Sequence, residues 1–272
     1  MDPRLFLKRT LELLEIFLTG RIFEELREVK SKMKASTQNS HGGFLNETEQ
    51  NARVSVVIPT LNESSYIKNS LLSLKASPYG NFEVIIVDCM SEDDTVTKAR
   101  QLGARVILSE KRNVGYQTHL GFMSAKGDII VRTDADTIFP QDTLTKTASA
   151  FEKERVMVYH VGHLYYDGGI LLNLLAHLYD KYWRKIWGTP GHFIAVRKSV
   201  YGKVVFRPLA RGQDFDFGKR VYEIFGDKAF AYDPNTAVLI SSRAIRKRGL
   251  FRYLLREASF RPRVDSTRQN HP

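Results

Sequence analysis

From residue 54 to residue 132, short apolar runs alternate with segments of helical period, and that alternation constrains the fold more than any other feature of the chain. Val54–Ile58, Glu83–Val87, Arg105–Leu108 and Asp128–Arg132 read as strands. Ser64–Lys75, Asp93–Leu102 and Val114–Ala125 read as the helices between them. Strands that alternate with helices predict βαβ units, and so an α/β fold with a mainly parallel sheet, flanking helices and right-handed crossovers. Such sheets bind ligands beyond the carboxyl ends of their strands. The polar residues directly after each strand therefore carry the functional expectation. They are Pro59-Thr60-Leu61-Asn62-Glu63, Asp88 and Asp134-Ala135-Asp136.

The flanks differ from this core. Residues 4–34 have a helical apolar stripe (Leu7, Leu11, Leu14, Phe17, Leu18, then Ile22, Phe23, Leu26, Val29), broken near Gly20. Residues 35–51 are polar and rich in Gly, Ser and Asn, the make-up of a linker. The expected organisation is a helical extension over 1–35, a linker over 36–52, a main domain over 53–245 and a basic helix and tail over 246–272. Within the second half, Val156–Val161, Phe193–Val196, Ala229–Tyr232 and Ala237–Ile240 read as strands, and Ile170–Ile186 and Gln213–Phe225 as helices.

Composition narrows the function classes. The chain has 272 residues and is 43% apolar and 26% charged, like a soluble globular protein with an ample core. A lone cysteine, Cys89, excludes a disulfide framework and fits a reducing compartment. No signal peptide stands out, and no stretch approaches the ~20 apolar residues needed to span a bilayer. A cytoplasmic location is expected, with peripheral attachment to the cytoplasmic membrane face left open, as is self-association through the N-terminal helix. The formal net charge is +11. Ser241–Pro272 holds eight Arg and one Lys against two acids, so most of the surplus sits there. That balance fits a polyanionic partner: nucleic acid, an anionic membrane or a phosphorylated small molecule. No nucleic-acid-binding motif is present and the tail has few interleaved aromatics, so nucleic acid is not an expected partner.

Four motifs carry chemistry. Thr133-Asp134-Ala135-Asp136 follows an apolar strand, and two carboxylates at i and i+2 share one face of a strand, where they can hold a divalent cation. The plainer reading is a pair of solvated loop acids. Asp88 can accept hydrogen bonds from a base or ribose, or cap the following helix. Pro59–Glu63 is a pocket rim or a turn with a helix cap. Gly212-Gln213-Asp214-Phe215-Asp216 opens a helix, where Asp214 is either a dipole-stabilised cap or a general base.

Taken in order, strand–PTLNE, strand–VDCMSEDDT, NVGYQTHLGFMSAKGD, strand–TDAD and GQDFDFGKR resemble the family 2 glycosyltransferases of the GT-A fold, over about residues 53–245. Cys89 stands where the family more often has Asp or Ser, and Gln213 where it has Glu. The Gln-x-x-Arg-Trp motif of processive synthases is absent. The resemblance implies a Rossmann-like nucleotide-diphospho-sugar transferase fold and an inverting transfer from a UDP- or GDP-sugar to an acceptor hydroxyl. It implies that Pro59, Thr60, Asn62, Glu63 and Asp88 line the nucleotide pocket. Asn113 and Gly115 stand where the family packs a loop against the nucleotide. Asp134, Ala135 and Asp136 form the metal and ribose site for Mn²⁺ or Mg²⁺. Asp214 is the base, and Gly191, His192 and Gln213 lie on the acceptor side. Arg197 and Lys198 match a basic pair common near that side. Arg243 or Arg246 would assist the leaving diphosphate. The acceptor stays open among glycan, lipid-linked and protein. The competing expectation is a non-catalytic nucleotide-sugar-binding or membrane-associated protein that keeps the fold, favoured by Gln213 and Cys89.

Overall fold

The computed structural model describes residues 22–38, 53–183, 188–209 and 211–249. Among these, one mixed sheet contains β1 (Val54–Thr60), β2 (Phe82–Asp88), β3 (Arg105–Leu108), β4 (Ile129–Thr133), β5 (Val158–Tyr165), β6 (Phe193–Arg197) and β7 (Phe230–Ile240). Their spatial order is β3-β2-β1-β4-β6-β5-β7. β1 runs parallel to β2 and β4, β2 to β3, and β5 to β7, whereas β6 is antiparallel to both its neighbours. Every residue of β1 and β4 is buried. Strands covered on both faces need no polar alternation, which is why these runs read as continuously apolar.

The helices are α1 (Ile22–Gln38), α2 (Ile67–Lys75), α3 (Thr95–Gln101), α4 (Val114–Ser124), α5 (Thr143–Ala150), α6 (Ile170–Leu178), α7 (Lys198–Tyr201), α8 (Gln213–Phe225) and α9 (Arg243–Arg248). Side chains alternate along a strand, so β1 feeds two cores. Val54, Val56 and Ile58 join Ile67, Leu71 and Leu74 of α2, Ala99 of α3 and Leu144 of α5. Val57 joins Phe122 of α4, Val200 of α7, and Phe217 and Val221 of α8.

Three elements differ from expectation. α5 lacks an apolar stripe; its buried face includes Thr143 and Thr147, so its period was hidden. The helix expected over 170–186 is α-helical only to Leu178, then widens to a π-helical turn over Tyr179–Trp183. The two short strands expected after residue 229 are one strand, β7, with a bulge. Val161 pairs with Asp233 but Gly162 with Ala237, so Pro234–Thr236 loop out, as suits a proline with no N–H for the ladder.

α1 lies on α6 and β7. Val29 is fully buried with Leu164, Leu174 and Leu178, and Leu26 and Met33 pack beside them. Glu25, buried, accepts from Tyr182 Oη at 2.9 Å and pairs with His177 Nε2 at 2.8 Å and Lys181 Nζ at 3.1 Å. The helix continues to Gln38, past the expected end at 35. The expectations for residues 1–21, 39–52 and 250–272 lie outside the described residues. No helix among the described residues is long and apolar enough to cross a membrane.

Candidate active site

The carboxyl ends of β1, β2 and β4 form a rim, and the first two sequence motifs are knitted into it. Gln117 of α4 is buried and its Nε2 donates to Thr60 O at 2.9 Å and Val87 O at 2.8 Å, pinning the ends of β1 and β2 together. Asp88 is fully buried. Its Oδ1 accepts from Thr60 Oγ1 at 2.8 Å and Ser91 Oγ at 2.6 Å, and its Oδ2 from Ser91 N at 2.8 Å. Asp88 thus braces the rim from beneath, where the sequence pointed to a base or ribose contact or a helix cap. Asn62 takes a left-handed φ of 55°, which Asn tolerates better than most residues. Its N–H donates to Ser91 Oγ at 2.8 Å and its Oδ1 accepts from Glu92 N at 2.9 Å. Pro59 is the penultimate residue of β1. Cys89 is buried against this network, and burial together with the Asp88 charge pushes its thiol up.

α9 delivers a cation to the rim. Asp167 accepts from Ser241 Oγ at 2.9 Å and Ser242 N at 2.6 Å, which fixes the approach to α9. Arg243 then donates to Glu63 through Nη1 at 2.6 Å and Nη2 at 2.9 Å, while its Nε lies 2.7 Å from Asp136 Oδ2. Its guanidinium also covers the Tyr66 ring, 4.4 Å from the centroid. Burial works to lower the Arg243 pKa, but Glu63 and Asp136 outweigh it and hold the group above its ordinary value. Asp136 is pushed up to about 6 by burial, with Asp134 and Glu63 adding to the push and Arg243 opposing it. Arg246, the other basic candidate, is paired instead with Asp167 at 2.7 Å.

The third cluster centres on Arg132 of β4. Its Nη2 is 2.9 Å from Asp134 Oδ1 and its Nε 3.6 Å from Asp214 Oδ1. Asp214 sits in the first turn of α8, whose anchors Phe217 and Val221 are buried in the core. Thr189 Oγ1 donates to Asp214 O at 2.5 Å, and Gln213 Nε2 to Asp214 Oδ2 at 3.4 Å. Burial pushes the Asp214 carboxyl up, Arg132 pulls it down and Asp134 pushes it up again; the net direction is upward. Thr133 Oγ1 donates to His192 O at 2.7 Å, which holds Gly191 and His192 beside Arg132. The His192 ring lies 4.4 Å from that of His163, whose Nδ1 is 2.9 Å from Asp180 Oδ2.

Asn113 and Gly115 work at the start of α4. Asn113 caps the helix, accepting from Tyr116 N at 2.9 Å, and its Nδ2 donates to Leu209 O at 3.1 Å. A Cβ on Gly115 would stand 2.2 Å from Arg207 O. The pair thus seats the segment around residues 207–209 against the rim.

The structure corrects two expectations. Asp134 and Asp136 do not share a strand face, because β4 ends at Thr133 and a turn follows, with Thr137 N donating to Asp134 O at 3.2 Å. Asp134 therefore turns to Arg132 and Asp136 to Arg243, with Ala135 buried between them. Arg197 and Lys198 lie far from the acceptor side. β6 is antiparallel, so Arg197 pairs with Ile129 at the amino end of β4; its guanidinium binds Phe151 O at 2.6 Å, and Lys198 Nζ binds Ala125 O at 3.0 Å. Arg132, Tyr66 and Gln117 were missed. The available signal was one charge inside an otherwise apolar strand.

Asp134 and Asp136 are hard oxygen donors, each held against a guanidinium, and burial, with Asp134 and Glu63 beside it, raises the Asp136 carboxyl to about 6. That donor set fits a divalent cation such as Mn²⁺ or Mg²⁺. Among the described residues, the group of three or more carboxylate or imidazole ligands that lies close enough to share an ion is Glu25, Glu28 and His177. There Lys181 Nζ, 3.1 Å from Glu25 and 3.2 Å from Glu28, already supplies the positive charge.

A mixed sheet with helices on both faces and an acidic turn after its central parallel strand is the architecture of the GT-A glycosyltransferases. Glycosyl transferase family 2 matches residues 55–255, and the chain belongs to that family of transferases. Relatives include the dolichol-phosphate mannosyltransferase of Pyrococcus furiosus, 29% identical over 58% of this chain and 49% of that protein. The amylovoran biosynthesis glycosyltransferase AmsB of Erwinia amylovora is 34% identical over 43% of this chain and 44% of its own. The uncharacterised glycosyltransferase YfnE of Bacillus subtilis is 33% identical over 39% of this chain and 29% of its own. The chain thus spans between 29% and 49% of the length of these relatives. Among solved structures, the mannosyltransferase PcManGT of Pyrobaculum calidifontis, in complex with GDP-Man and Mn²⁺, has a TM-score of 0.57 at 20% identity, covering 93% of this chain and 77% of that one. Glucosyl-3-phosphoglycerate synthase of Mycobacterium tuberculosis, in complex with UDP, has a TM-score of 0.54 at 22% identity, covering 71% and 75%. These likenesses establish the fold.

Proposed function

We propose that this chain transfers a sugar from a UDP- or GDP-sugar to an acceptor hydroxyl by a single inverting displacement, within a domain spanning 53–245. One observation carries the reading: carboxylates from separate segments, Asp136 and Asp134 after β4 and Asp214 on α8, meet at one end of the sheet and are held by Arg243 and Arg132. The rim of Pro59, Thr60, Asn62, Glu63 and Asp88, with the segment seated by Asn113 and Gly115, forms the donor side. Gly191, His192, Gln213 and Asp214 form the acceptor side. When bound, Mn²⁺ or Mg²⁺ on Asp134 and Asp136 neutralises charge on the departing diphosphate.

The chain's own residues do the rest. Arg243 supplies a fixed positive charge beside Asp136 for the β-phosphate as the bond from C1 to its oxygen breaks. Asp214 takes the proton of the acceptor hydroxyl as its oxygen bonds to C1. A carboxyl raised by burial is a stronger base than a solvated one, which suits that task. Solved structures of similar fold carry different donor nucleotides, GDP-Man in one and UDP in another, and the acceptor is a glycan, a lipid-linked group or a protein.

The test is turnover of UDP- and GDP-sugars by the full chain with Mn²⁺, with water or a sugar as acceptor. Asp214→Asn is expected to slow transfer by roughly 10³-fold, the typical worth of a general base, with nucleoside-diphosphate affinity kept. Wild-type turnover in that variant would remove Asp214 from the role. A wild-type chain that bound nucleoside diphosphate but turned over no donor would favour a binding protein instead.

A further inference from the structure

We infer that Arg132 is a positioning residue, a single buried guanidinium that ties Asp134 on the donor side to Asp214 on the acceptor side and so sets the span across which the sugar moves. This rests on the transfer reading above. Arg132 is 3% exposed and sits in the middle of the sheet, paired across its backbone with Val57 of β1 and Ile194 of β6. Burying an arginine there is costly unless anionic partners meet it. Its anionic partners come from two separate elements, the turn after β4 and the first turn of α8, and both are carboxylates of the proposed site.

The contacts are unequal in a way a purely structural pair would not be. Nη2 meets Asp134 at 2.9 Å, a close ion pair, whereas Nε stands 3.6 Å from Asp214 Oδ1. Arg132 Nε and Nη1 and Asp214 Oδ1 are buried and have no hydrogen-bond partner. Native interiors leave few such groups, and each calls for a reason. The local chain also keeps room for the pair. A Cβ on Gly191 would stand 2.5 Å from Arg132 Nη1 and 2.7 Å from Asp214 Oδ2. Gly191 does not have a left-handed backbone, so its lack of a side chain serves space and not conformation. Closing the 3.6 Å gap as the acceptor seats would satisfy Arg132 Nε and Asp214 Oδ1, two of these three atoms, and fix the base relative to the donor.

The experiment uses full-length Arg132→Lys, Gly191→Ala, Asp214→Asn and the double variant Arg132→Lys/Asp214→Asn. It measures Tm, the Kd for UDP and GDP with Mn²⁺, and the rate of donor-sugar hydrolysis. Lysine keeps the charge but cannot reach two carboxylates with one planar fork. Arg132→Lys is therefore expected to keep its Tm and nucleotide Kd within about threefold while hydrolysis slows ~10- to 100-fold, the scale of a misplaced catalytic group. Gly191→Ala should slow it without changing that Kd. The double variant should be no slower than Asp214→Asn, because a residue that acts through Asp214 loses its effect once Asp214 is gone. A wild-type rate in Arg132→Lys, or additive losses in the double variant, would overturn the inference while leaving the base in place. A wild-type rate in Asp214→Asn would instead bring down the reading beneath it.

Discussion

Arg243 holds three contacts at once, both oxygens of Glu63 and one of Asp136. An incoming diphosphate offers the same guanidinium a denser anion, and the two carboxylates then need another cation. Arg243→Ala removes that exchange. It should weaken nucleoside-diphosphate binding about tenfold, measured by titration with Mn²⁺ present, as expected for loss of a charge-assisted contact. Unchanged affinity would mean that Arg243 serves only to hold α9. At this scale the carboxylates could be located in the sequence, because Asp136 stands in the turn after a strand and Asp214 in the first turn of a helix. The arginines were legible only in part. Arg243 stood out within a basic run, but nothing in its spacing points to Glu63 across 180 residues. Arg132 reads as one charge in an apolar strand, since its distant partner Asp214 is defined by the fold and not by sequence separation.

Among the elements, α4 shows how a helix start shapes the rim. Gly115 faces the carbonyl of Arg207 so closely that an added Cβ would be 2.2 Å away, and a backbone oxygen cannot swing aside as a side chain would. Gly115→Ala should destabilise the chain by about 2 kcal/mol, within the usual range for forced overpacking, seen as a lower Tm. It should also weaken nucleotide binding by moving the segment around 207–209. A Tm equal to wild type would show that this segment is free to shift. β1 to β4 and α8 matched their expected positions closely, because the strands are short apolar runs between polar segments and α8 has a clear helical period. α5 was hidden by its buried threonines, and β7 was split in the sequence by Asp233-Pro234-Asn235, residues that favour turns and here form a bulge inside one strand.

Across the whole molecule, the basic surplus and the acidic site belong together. The chain carries +11, yet Asp136 lies in local negative excess, with its carboxyl held up at about 6. Its ordinary value is 3.8, so the folded chain binds this proton more tightly than the unfolded one. The stability it confers is complete below pH 3.8 and is lost as pH rises through about 6, amounting to about 3 kcal/mol for a shift of this size. In EDTA, the Tm difference between wild type and Asp136→Asn should shift in favour of the variant between pH 4 and pH 7. Mn²⁺ with nucleoside diphosphate should return the advantage to wild type. A difference that stayed flat with pH would show that Asp136 ionises normally.

The position of Arg243 has a further consequence for the order in which a growing chain acquires its parts. Glu63 and Asp136 follow β1 and β4, while the cation that joins them lies beyond β7, the last strand among the described residues. A nascent polypeptide that has emerged as far as residue 240 holds all seven strands and still lacks the bridge over its acidic turn. The scaffold is therefore finished before the site is, and competence waits for the first turn of the final described helix.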